Sequence, residues 1–143
     1  MLSQKCKYAI RAVIYLSSDF PEPTKKGGKE ISAALKIPQA FTGRILHELS
    51  QQNIISSLKG PGGGFYMTAE NMQLPILKII ETIDGLSFFK ACGLGLEICS
   101  EKRPCPIHET FKICRNQMFD LFKTKKIKDI AHDITLHKMF IVR

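Results

Sequence analysis

The sequence predicts a mostly α fold with a small β-hairpin. Three observations predict it: apolar residues recur at helical spacing through most of the 143 residues, one glycine-rich segment separates two short β-branched runs, and one cysteine-rich stretch has no apolar period. With 44% hydrophobic and 24% charged residues the chain sits near the globular average. Its length suits one domain with a small appendage and excludes a multidomain enzyme.

The elements follow in order. Over residues 3–19, Ala9, Ala12, Val13 and Leu16 recur at helical spacing with Lys5, Lys7 and Arg11 around them, and Ser3 suits the N-cap. Residues 20–28 hold Pro21, Pro23 and a glycine pair, which predicts a loop. Ile31, Ala34 and Leu35 draw a short helix over 29–36. The Ile37-Pro38 step then breaks the chain, and a new helix starts with Pro38 in its first turn. Phe41, Ile45, Leu46 and Leu49 are its expected apolar face, with Gln39, Gly43, His47 and Ser50 opposite. Residues 53–58 and 65–68 read as strands across the tip Lys59-Gly60-Pro61-Gly62-Gly63-Gly64.

Residues 74–84 form a further helix, with Pro75 in its first turn, Ile76, Ile79, Ile80 and Ile83 as its stripe, and Gly85 as its stop. The pattern then vanishes over 86–105, so something other than core packing must order this stretch. Helix resumes from Pro106 with a single seam of Ile107, Phe111, Cys114, Met118, Leu121 and Phe122, which is what a pairing helix needs. A short helix over 127–134 and a tail close the chain. Helix, tight turn, helix and hairpin make a winged helix-turn-helix domain, here expected over residues 1–85. A cysteine-rich loop over 86–108 and a long dimerisation helix with its tail over 106–143 complete the expected organisation.

Basic residues exceed acidic ones by eight, which favours a polyanionic partner, nucleic acid or an acidic membrane face. Nine basic and five acidic side chains fall in residues 1–70, and twelve and eight in 71–143, so bulk charge does not locate the site. No apolar run approaches the roughly 20 residues that span a bilayer, and the first residues enter an amphipathic pattern directly. A cytoplasmic protein without a membrane partner is expected. There the five cysteines stay reduced, and their odd number argues for metal, cluster or redox chemistry over disulfides. No Ser-His-Asp spacing, Walker loop or dinucleotide fingerprint is present, so no enzyme is expected.

Two constellations carry chemistry. In the second helix of the helix-turn-helix, Gln39, Ala40, Thr42, Gly43 and Arg44 form a small, polar first turn, in which Gln can pair with adenine and Arg with guanine in the major groove of double-stranded DNA. Lys59, Gly62 and Gly63 in the wing offer a cation and bare amides to phosphates or the minor groove. Helix pairs and glycine-rich turns also serve as plain scaffolding, but this order and spacing favours DNA binding. The second constellation is Cys92-x6-Cys99-x5-Cys105-x2-His108. Three thiols and an imidazole within seventeen residues can converge on one soft metal centre, zinc or iron-sulfur, and spacing does not choose between them. Cys6 and Cys114 read as small core or interface residues.

Taken together, Lys7-Tyr8-Ala9-Ile10-Arg11-Ala12, the wing run from Ile54 through Lys59-Gly60-Pro61-Gly62-Gly63-Gly64-Phe65, and the three-cysteine loop resemble the Rrf2 family of winged-helix transcription regulators. The resemblance implies a homodimer on a near-palindromic operator, acting as a repressor that senses iron-sulfur, redox or nitric-oxide status. It also implies a 2Fe-2S or 4Fe-4S cluster on Cys92, Cys99 and Cys105, which a given preparation can lose. His108 falls where IscR-like members supply a fourth, histidine ligand, and Lys7 stands where NsrR-like members place an aspartate, so 2Fe-2S is the expected type. Gly43 replaces an acidic residue of IscR-like members, so no operator sequence is carried over. The alternatives are a zinc-containing or thiol-redox regulator without a cluster, and a small iron-sulfur electron carrier with the helix-turn-helix as scaffold.

Overall fold

The computed structural model describes residues 1–137, 140 and 141; the rest of the expected tail lies outside the described residues. Its elements are α1 (Gln4–Ser17), α2 (Gly28–Leu35), α3 (Gln39–Gln51), β1 (Ser56–Leu58), β2 (Gly64–Tyr66), α4 (Ala69–Met72), α5 (Ile76–Ile83), a 3-10 turn (Ser87–Phe89), α6 (His108–Thr124) and α7 (Ile127–His137). This is the mostly α fold with one hairpin that the sequence predicts.

Helix α1 is the hub. Ser3 caps it, its hydroxyl accepting the Cys6 N–H at 3.0 Å, and the Asp84 carboxylate at the end of α5 accepts the Ser3 N–H at 2.8 Å. Cys6, Ala9, Ala12, Val13 and Leu16 are buried, and α2, α3, α5 and α7 all pack on this helix. The small alanines let the neighbours approach closely, while Ile45, Leu46, Leu49, Ile76, Ile79 and Ile80 supply the bulk of the core. Each fully buried aliphatic side chain contributes roughly 1.5–3 kcal/mol over leaving it in water. Ile127 and Ala131 of α7 join the same core, so the chain's last helix returns to its first.

The turn between α2 and α3 is tight because it satisfies itself. Lys36 adopts the left-handed conformation, the Ile37 N–H donates to the Ser32 carbonyl at 3.1 Å, and the buried Ser32 hydroxyl donates back to the Ile37 carbonyl at 2.6 Å. The hairpin is shorter than expected, three residues a side in the register Ser56↔Tyr66, Ser57↔Phe65 and Leu58↔Gly64. Ile54, Ile55 and Met67 leave the ladder because they are buried in the core. Lys26 joins from the loop after α1, its N–H and carbonyl both bonded to Phe65 at 2.9 Å, so β2 is flanked on both edges.

Helix α4 was not expected. Thr68 and Asn71 close a capping box, and the buried Asn71 amide also donates to the Asn53 carbonyl and accepts from the Ser56 hydroxyl, both at 2.9 Å. One side chain thus ties the end of α3, the wing and α4 together. The expected loop over 86–105 is also partly corrected. Its first residues form the 3-10 turn, and Phe89, 7% exposed, packs edge-on against Phe119 and Phe122 of α6.

Candidate nucleic-acid interface and metal centre

The apolar face of α3 is as expected at Ile45, Leu46 and Leu49 and differs from the expected setting only in its first turn. Thr42 is 2% exposed and its hydroxyl donates to the Pro38 carbonyl at 3.2 Å, whereas Phe41 is 54% exposed with its ring edge against Tyr8 at 6.5 Å. Thr42 is therefore corrected from a DNA-facing residue to a core residue. Gln39, Ala40, Gly43 and Arg44 are exposed along one side of α3, with Phe41 and His47 flanking them. Arg44 and Lys59 make no hydrogen bond or ion pair among the described residues, which leaves both cations available to phosphates or base edges.

In the wing, Gly62 and Lys59 are exposed at the tip. Gly63 also serves the hairpin itself. Its N–H already donates to the Gly60 carbonyl at 3.0 Å, and a Cβ there would stand 2.1 Å from the Leu58 oxygen, so the hairpin itself demands this glycine. Gly43 is the opposite case: an added Cβ would meet nothing within 4 Å.

The four expected ligands come together as two pairs; no group of three among the described residues is placed to hold one ion. The Cys92 and Cys105 side chains lie close enough to interact. Backbone amides of Leu94 and Leu96 also bond the Cys92 sulfur, and they, with Cys105 and Gly95, hold its pKa below the usual thiol value against a smaller opposing effect of burial. Cys99 meets His108 with its sulfur 3.4 Å from Nδ1. His108 is the first residue of α6, and its N–H donates to the Cys105 carbonyl at 2.9 Å, which brings the imidazole back over the loop. It is 5% exposed, and its Nε2 is buried without a hydrogen-bond partner, Glu109 standing off at 4.0 Å.

Sequence reasoning missed how α6 grips this loop. Lys112 pairs with Glu101, and Arg115 donates to the Ala91 carbonyl at 2.6 Å and reaches the Cys99 sulfur at 3.8 Å. His108, Lys112 and Arg115 follow i, i+4, i+7 spacing, a polar stripe beside the apolar seam that marks one face toward the loop. The other cysteines differ. Cys114 is exposed, while Cys6 is fully buried and its pKa is pushed up to about 12 by that burial and by Asp84.

Comparison with known proteins identifies the family and agrees with the fold. The family model described as "Rrf2: Iron-dependent Transcriptional regulator" matches residues 2–133. A putative HTH-type transcriptional regulator of Aquifex aeolicus is 33% identical over 134 residues, covering 92% of each chain. Among solved structures, CymR, titled the global cysteine regulator of B. subtilis, superposes with a TM-score of 0.75 at 17% identity, covering 92% of this chain and 96% of its own. T. potens IscR does so at 0.74 and 16%, covering 98% and 92%. The chain belongs to the Rrf2 family of HTH-type transcriptional regulators.

Proposed function

We propose that the protein is a homodimeric repressor whose operator affinity follows the state of an iron-sulfur cluster held by Cys92, Cys99, Cys105 and His108. The observation that carries this reading is the pairing of the donors, Cys92 with Cys105 and Cys99 with His108. Two ligands for each of two irons is the requirement of a 2Fe-2S centre, while a single zinc calls for four ligands on one point. The buried, unpartnered Nε2 of His108 and the amides around Cys92 suit the same donor set. When bound, the cluster supplies a one-electron couple and an iron centre open to attack by oxygen or nitric oxide.

The chain's own residues do the rest. Gln39, Ala40, Gly43 and Arg44 enter the major groove, and Lys59 and Gly62 meet the backbone beside it. Helix α6 offers a pairing face, with Ile113 57% and Leu121 52% exposed. Loop contacts to His108, Lys112 and Arg115 pass a change at the cysteines to that helix.

Anaerobic purification should give a coloured protein with about two irons and two sulfides per chain. It should shift the DNA upstream of its own coding region with an affinity that changes when the cluster is removed. Lys59→Ala should reduce the salt slope of binding by about one. A colourless protein with stoichiometric zinc, or no DNA binding, would overturn the reading. The contact between Cys92 and Cys105 favours one second reading, a thiol switch in which peroxide takes two electrons and both thiol protons are lost as a disulfide forms. Iron-free protein that loses operator binding on forming that disulfide would support it instead.

A further inference from the structure

We propose that Arg115 is a positioning residue of the cysteine centre, holding the Cys99 sulfur and its loop on α6 and supplying the positive charge that an anionic sulfur centre needs. This rests on the reading of the loop as a cluster site. Arg115 follows His108 by seven residues, two turns along the same face of α6. Its Nη1 donates to the Ala91 carbonyl at 2.6 Å and lies 3.8 Å from the Cys99 sulfur, while the guanidinium sits 5.9 Å from the centre of the Phe111 ring. One side chain therefore touches the start of the loop, a ligand and the helix core.

The second observation is what these contacts leave unmet. Among the described residues only two buried side-chain nitrogens or oxygens lack a hydrogen-bond partner: Nε of Arg115 and Nε2 of His108. Both belong to residues whose other nitrogen contacts the same sulfur, that of Cys99. Buried polar groups are almost always satisfied, so two orphans on residues that contact one thiol mark a place where a further group belongs: an acceptor for the Arg115 Nε–H and, on the cluster reading, iron for His108 Nε2. A guanidinium stays protonated in proteins, and placing it against sulfur is favourable when that sulfur is anionic, as in a ligating thiolate. Hydrogen bonds and charge near cluster sulfurs raise the reduction potential, and partners of the ligands fix ligand orientation.

The test uses full-length protein, purified anaerobically as wild type, Arg115→Met and Arg115→Lys. Iron release to a chelator, the midpoint potential of the cluster, and the thermal midpoint of the cluster-free protein are measured. Arg115→Met should release iron roughly ten times faster or more. Its potential should shift downward, because the reduced centre loses a neighbouring positive charge. Arg115→Lys should restore the potential but not the slow release, since lysine lacks the fork that spans Ala91 and Cys99. If Arg115→Met does not fold, Arg115→Lys carries the test through its release rate. Wild-type release and potential in the variants would overturn the proposal, as would an unchanged potential with a lowered thermal midpoint of the cluster-free form. Wild-type protein without iron and sulfide would overturn the cluster reading together with it, whereas unresponsive variants of a cluster-bearing protein would overturn the role of Arg115 alone.

Discussion

Each buried polar side chain that precedes the cysteine loop has a partner close by: Ser17 on the Ile14 carbonyl, Lys26 on Asp19, Ser32 on the Ile37 carbonyl, Thr42 on the Pro38 carbonyl, Asn71 on four groups of the wing base. Around Cys99, by contrast, two buried nitrogens have none. The apolar residues differ in the same direction. Ile45, Leu46, Ile79 and Ile80 are buried, whereas Leu94, Leu96 and Ile98 of the loop are 53%, 54% and 74% exposed. The helix-turn-helix and wing are ordered by their own apolar surface and internally closed hydrogen bonds. Beyond Phe89, which packs on α6, the cysteine-bearing part of the loop is held by a few polar and sulfur contacts to that helix, a set that a bound centre would complete.

The largest effect that tests this contrast is a pair of substitutions. Ile79→Ala, at a fully buried position, should destabilise the protein by about 2–5 kcal/mol in denaturant unfolding, with or without the cluster. Cys99→Ser should leave the unfolding midpoint of the cluster-free protein nearly unchanged while abolishing bound iron and sulfide. If Cys99→Ser unfolds the protein as readily as Ile79→Ala, the two regions share one source of order and the contrast fails.

A smaller effect concerns how the wing is clamped. The Lys26 ammonium is 2.6 Å from Asp19 and 4.2 Å from the centre of the Tyr15 ring, and the backbone of the same residue pairs with β2. Burial raises the Asp19 pKa, but hydrogen bonds from Lys26 and Thr24, with the Lys26 charge, outweigh it and hold the carboxyl below its usual value. A carboxyl depressed in the folded state stabilises above the unfolded pKa of about 4, and that contribution is lost as pH falls through the lower folded value. Asp19→Asn should cost roughly 1 kcal/mol at pH 7 and flatten the acid side of the stability profile below about pH 4. An unaltered acid profile would show that this ion pair does not hold the wing.

The fold was legible wherever a period had room to repeat. The stripe Ile76, Ile79, Ile80 in α5 and the small-residue face of α1 are long enough to declare their sides. Helix α4 has four residues, too few for a period, and its one sequence signal is the Thr68-x-x-Asn71 cap. Phe41 and Thr42 were exchanged because hydrophobicity ranks a ring above a hydroxyl. Geometry reverses that order: Thr42 satisfies its hydroxyl on the preceding turn and fits inside, while Tyr8 gives Phe41 a partner at the surface. The cysteine spacing named the residues of the candidate site but not their grouping into pairs. Arg115 went unnoticed because its helix was read through apolar positions alone, and its contacts to Ala91 and Cys99 depend on how the loop folds back.

The smallest predicted effect separates a residue placed for the fold from one placed for a partner. Gly63 is demanded by its own hairpin, but Gly43 sits inside α3, where glycine costs about 0.5–1 kcal/mol relative to alanine and a Cβ would touch nothing in the protein. Folding therefore gives no reason for it, whereas the proposed approach of α3 to a duplex would. Gly43→Ala should raise stability by about 0.5–1 kcal/mol in thermal unfolding and at the same time weaken operator binding. The opposite signs are the diagnostic, because a substitution that only perturbed the fold would move both measurements down. Improved stability with unchanged affinity would mean that the groove floor does not come within a methyl group of α3 at this position, and the contact surface would then lie toward Arg44 and the exposed ring of Phe41.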